Sequence, residues 1–94
     1  MKAKYRPIVC ENGFQMSVQA SEMNYWEPRD DYGPYTLVEV GYPSRKESPL
    51  MQWAEDPDDP TGTIYGWVPS NIIWDVILKN GGVVDGELPP LSMT

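Results

Sequence analysis

The sequence predicts an α+β domain, an antiparallel sheet of four to five strands with one C-terminal helix packed across it. Two observations carry this. Phe14, Met16, Val18 and Ala20 alternate with Gln15, Ser17 and Gln19, which puts apolar side chains on one sheet face and amides and hydroxyls on the other. Pro69 and the pair Gly81-Gly82 bracket a segment in which Ile72, Ile73, Val76 and Ile77 share one helical face. A chain of 94 residues is one domain's worth, residues 1–94. At this size roughly 60–65% of the unfolded surface is hidden on folding, so association would be a natural supplement.

In order along the chain, residues 5–10 form a short strand. Asn12-Gly13 then supplies the pair suited to a two-residue hairpin turn leading into a strand at 14–20. From Ser21 to Pro34 the period vanishes into Glu, Asn, Pro, Asp and Gly, with Tyr25, Trp26 and Tyr32 embedded, and a loop of that length is often functional. A third strand spans 35–41, with Thr36, Val38 and Val40 on one face. Pro43 and Pro49 turn the chain, since neither fits a central strand. A fourth strand follows at 50–54, an acidic loop at 55–62, and a fifth strand at 63–68. In that strand Tyr65 and Trp67 share a face opposite Ile64 and Val68. The helix covers 69–80, with Asp75 and Lys79 spaced as an i,i+4 ion pair. An extended tail occupies 83–94.

The charge is lopsided. Net charge is −7, yet none of the 14 acids precedes Glu11, and from there on they face only Arg29, Arg45, Lys46 and Lys79. Such a surface repels phosphate backbones and anionic lipid and attracts basic partners. This argues for a basic protein partner and against direct nucleic-acid or membrane binding. With no histidine, the common triads and zinc sites are ruled out, and Cys10 lacks an imidazole to lower its pKa, so no catalytic residue, metal ligand or cofactor site is assigned and the expectation is a non-enzyme. The single cysteine cannot form an internal disulfide. Lys2, Lys4 and Arg6 are not followed by an apolar stretch, and no run near 18 apolar residues occurs, so a cytoplasmic location is expected.

Candidate contact residues are the acids Asp30, Asp31, Glu55, Asp56, Asp58 and Asp59, whose two loops would form one negative patch, and the aromatics Trp26 and Trp67. The aromatic set reads equally as a second small core or as a partner surface. The acidic loop does not have the ligand spacing of a calcium-binding loop. On the helix, Trp74 and Leu78 lie outside the core stripe. Either the tail from Val83 to Leu91 folds over them, or they meet another chain, as in a homodimer.

Two resemblances add expectations. The run from Thr61 through Gly66-Trp67-Val68-Pro69-Ser70-Asn71, with Trp53 upstream, resembles the closing strand of an SH3 domain. That would imply a groove for proline-rich peptides with Trp53, Pro69 and Tyr65 on its floor, although here an apolar helical pattern continues to Leu78. More broadly, several segments together resemble a family of small acidic proteins encoded by bacteriophages and prophages: Asn12-Gly13-Phe14, Met16 to Ala20, Pro28-Arg29, Gly33-Pro34-Tyr35-Thr36, Val38 to Gly41, Pro43-Ser44, Ala54 to Pro57, Pro60-Thr61, Tyr65-Gly66, Val68-Pro69 and Gly81-Gly82. Asn80 departs from that pattern, which carries His before the two glycines. The resemblance implies a phage setting and, by analogy with anti-CRISPR proteins, an anti-defence inhibitor occupying a basic, nucleic-acid-binding host component; a phage structural or accessory role is the alternative.

Overall fold

A computed structural model of the chain describes residues 5–20 and 34–93. The described strands are β1 (Ile8–Cys10), β2 (Gln15–Gln19), β3 (Leu37–Gly41), β4 (Ile64–Pro69) and β5 (Val83–Asp85). They form one antiparallel sheet in the order β4-β3-β2-β1-β5, and the helix α1 (Ser70–Lys79) covers one face. The architecture is the α+β fold expected. The alternation in β2 sets the core: Phe14, Met16, Val18 and Ala20 are all buried, together with Ile8 and Cys10 from β1 and Val38 and Val40 from β3. Ile73, Val76 and Ile77 of α1 close over them.

Five local expectations are corrected. The hairpin between β1 and β2 has a three-residue loop, not two. Cys10 pairs with Phe14 (N–H to carbonyl, 2.8 Å), the Gly13 N–H closes onto the Cys10 carbonyl at 2.9 Å, and Gly13 sits at φ 92°. One residue in the left-handed region after a tight turn is the usual three-residue solution. Residues 50–54 are not a strand. Ser48–Trp53 forms a 3-10 helix with Pro49 in its first turn, held by i→i+3 bonds from Leu50 N–H to the Glu47 carbonyl and Ala54 N–H to the Met51 carbonyl; only Ala54 bridges β4. The missing strand comes from the tail instead, because β1 has an open edge that Val83–Asp85 fills.

The fourth correction concerns β4. Val68 pairs with Val38 but Tyr65 pairs with Val40, so Gly66 and Trp67 together oppose Glu39. This bulge resets the alternation: Tyr65 and Val68 both face the core, and Trp67 turns outward.

The remainder of the tail is tied down. Gly86, at φ 93°, passes so close to Pro7 and Ile8 that it has no room for a Cβ. Beyond it, Tyr35 donates to the Pro90 carbonyl (2.7 Å) and Ser92 to the Tyr35 carbonyl (2.8 Å), forming a parallel bridge that buries Leu91. The helix begins directly from β4, with Pro69 as its cap, not its first residue. It ends as the glycine pair requires: Gly81 N–H to the Leu78 carbonyl and Gly82 N–H to the Ile77 carbonyl, with Gly81 at φ 93°.

Candidate interaction surfaces

Most of the described cations are consumed internally. Glu47 is 1% exposed, and its carboxylate is met by Lys79 Nζ at 2.9 Å on Oε1 and by Arg45 Nε at 3.4 Å on Oε2. The Lys79 contact is Coulombic; its alignment falls short of a hydrogen bond, leaving Oε1 without one. Asn80, also 1% exposed, is the hub of this cluster. Its Nδ2 donates to the Val76 carbonyl (2.8 Å) and to Glu47 Oε2 (3.4 Å), while its Oδ1 accepts from Asn12 Nδ2 (2.8 Å) and from Arg45 Nη2. Arg45 also lies over the Phe14 ring, 5.3 Å from its centre. The cluster thus joins the first hairpin, the turn after β3 and the end of α1. At the other edge Arg6 meets Asp85 at 3.6 Å and Glu87 at 3.4 Å, both at the exposed surface.

The i,i+4 pairing of Asp75 with Lys79 does not form, because Lys79 turns to Glu47 instead. No sequence signal marked Glu47, one acid in a polar run. Asn80 stood out only for not being histidine, and its value lies in an amide that both donates and accepts within one buried cluster.

The acids of the 55–59 loop face solvent. Among the described residues no Lys or Arg lies within ion-pair distance of Glu55, Asp56, Asp58 or Asp59. The loop is nonetheless fixed. Glu55 N–H donates to the Ile64 carbonyl (3.0 Å), Asp56 N–H to Thr63 Oγ1 (3.0 Å), Asp58 N–H to Asp56 Oδ1 (3.1 Å), and Asp59 N–H to the Asp56 carbonyl (3.0 Å). Beneath it the Tyr65 hydroxyl donates to the Pro60 carbonyl at 2.5 Å. Burial pushes that phenol above its ordinary pKa, and the Asp59 charge adds to the rise. Tyr65 is therefore core, not the floor of a peptide groove. Among the described residues, no three acidic or thiol side chains converge as metal ligands, and no helix is long and apolar enough to cross a membrane.

Trp67 is 44% exposed and occupies φ 60°, a left-handed conformation costly for a bulky side chain. Trp74 is half-buried, and its Nε1 donates to the Ser92 carbonyl at 3.0 Å, so the tail engages it through residue 92. Leu78 is left 73% exposed. The tail therefore covers Trp74 in part and Leu78 hardly at all. Asp30, Asp31 and Trp26 lie outside the described residues. No protein-family model, curated protein or solved structure matches the chain.

Proposed function

We infer that this chain is a non-enzymatic binding protein that docks on a basic surface of a protein partner, with the 55–59 loop as its charged contact and Trp67 as an aromatic anchor. The observation that carries the inference is the segregation of charge. Among the described residues Arg6, Arg45 and Lys79 are paired with Glu47, Asp85 and Glu87 and Lys46 alone of the cations has no ion pair, whereas Glu55, Asp56, Asp58 and Asp59 are exposed, have no ion pair and sit in a loop tied by hydrogen bonds. Fixed, unneutralised charges steer encounter and lose little entropy on contact. Trp67 supports the same reading. A backbone outlier at a bulge that turns a large ring toward solvent is a cost to folding, and such costs gather where a surface is used. The resemblance to phage proteins would make the partner a host component, with a nucleic-acid-binding defence protein the natural basic target and the chain its inhibitor in the host cytoplasm.

The test is capture of a partner from bacterial lysate at low salt, followed by stopped-flow association with two variants. Asn at positions 56, 58 and 59 keeps the Asp56 acceptor but removes three charges. Association should slow by about tenfold at low salt and its salt dependence should flatten, because exposed charges act on encounter rate. Trp67→Ala should instead speed dissociation. An unchanged association rate and salt slope in the triple variant would sink the reading.

A further inference from the structure

We propose that the depression on the outer face of α1 is a second docking site, taking an apolar side chain flanked by a Lys or Arg on a basic amphipathic helix of the partner. This rests on the reading of the chain as a binder of basic proteins. The depression has a volume of about 470 Å³ and is lined by Asn71, Trp74, Asp75, Leu78 and Met93. Its apolar part is open, with Leu78 73% and Met93 81% exposed. The Trp74 indole N–H is already satisfied by the Ser92 carbonyl, so what the ring offers a ligand is its apolar surface.

Asp75 selects the chemistry. The side chain that would neutralise it along the helix, Lys79, is drawn away to Glu47 Oε1 at 2.9 Å, and among the described residues Asp75 has no ion pair. An unpaired carboxylate beside exposed Leu and Met surface complements a ligand that is apolar with a cationic neighbour. Such ligands present their anchors at i, i+3, i+4 and i+7 along a helix. A second copy of this chain fits less well. It would set Asp75 near Asp75 and bring together two bodies of net charge −7, which costs association energy where a basic helix gains it.

The probe is a fluorescein-labelled helical peptide of alternating Leu and Lys faces, titrated against the intact chain by anisotropy at 0.1 M salt. Leu78→Ser should weaken binding about tenfold, the loss expected for one buried Leu, and Asp75→Asn several-fold with a shallower salt dependence. The Asn triple variant at 56, 58 and 59 should change affinity less than Leu78→Ser. Because Leu78 and Asp75 are exposed, both variants should fold as the parent does. If Leu78→Ser and Asp75→Asn bind as the parent while the triple variant does not bind, the groove proposal is overturned and the acidic-loop reading stands. A Glu-for-Lys peptide of equal affinity overturns the charge argument. A concentration-dependent dimer that Leu78→Ser dissolves overturns the choice of occupant.

Discussion

Lys79→Met and Glu47→Gln should have unequal costs, and the inequality tests how the buried cluster works. Removing Lys79 strands a carboxylate that is 1% exposed, with only Arg45 Nε and Asn80 Nδ2, each at 3.4 Å, to meet it. Breaking a buried pair in this sense costs about 3–5 kcal/mol. Here Arg45 remains and the Lys79 end of the site is half exposed, so about 2 kcal/mol is expected, a fall in midpoint temperature of roughly 10 °C for a domain this small. Glu47→Gln removes the charge but keeps the shape, and leaves two cations that can turn to water, at a cost of about 1 kcal/mol. The double variant should cost less than the two singles together, by about 1 kcal/mol of coupling. Urea unfolding followed by Trp fluorescence at pH 7 measures all three. If Lys79→Met cost less than about 0.5 kcal/mol, the range of an exposed pair, while Glu47→Gln cost more, the carboxylate would be held by Arg45 and Asn80 alone and Lys79 would be a surface lysine.

Gly86→Ala should lose at least about 3 kcal/mol, since the new Cβ meets the Pro7 carbonyl and comes within 2.5 Å of Ile8 Cα at a left-handed φ. Gly82→Ala, at φ 91° but with open space around it, should lose only about 1 kcal/mol; equal losses in thermal melts would mean that β5 does not pin the edge of β1. Burial pushes the Cys10 thiol above its ordinary value of 9.0, with Arg45 pulling it down and Glu47 pushing it further up. The folded chain therefore holds this proton more tightly than the unfolded chain. The stability it contributes is intact below pH 9.0 and lost as pH rises through the higher folded value, Tyr65 adding the same sign above 10.0. The urea midpoint should fall on the alkaline side, and Cys10→Ala should remove the earlier part of that fall; an unchanged profile would place the thiol in contact with water.

What the sequence made legible was whatever depends on a residue and its near neighbours. The alternation from Phe14 to Ala20 names a core face because a strand has period two, and Pro69 with Gly81-Gly82 brackets α1 because the helix ends need those backbones. What stayed hidden depends on partners distant in the chain. Val83–Asp85 is too short to show a period and becomes a strand only because β1 offers an edge. Leu50 to Ala54 has strand-like composition, but Pro49 and the i→i+3 bonds from Glu47 take it into a 3-10 turn. The bulge at Trp67 is decided by register against β3, and with it which of Tyr65 and Trp67 is core. The acidic loop was legible as a contact candidate; that no counter-ion meets it among the described residues was not, because that depends on where Arg45 and Lys79 reach.

Under the proposed function, that last point separates stability from recognition. A net charge of −7 spread evenly would weaken the fold everywhere and steer partners nowhere in particular. Here Arg45 and Lys79 meet one buried carboxylate and stabilise the frame, while Arg6 meets two exposed acids at the β5 edge. Among the described residues, the acids without an ion pair include Glu55, Asp56, Asp58 and Asp59 in the loop before β4 and Asp75 on the outer face of α1. Neutralising those acids removes repulsion and no ion pair, so it should leave the fold unchanged or slightly more stable. Neutralising Glu47 should do the opposite to stability and little to association. A variant in which both properties moved together would show that the frame and the contact surface are not separate after all.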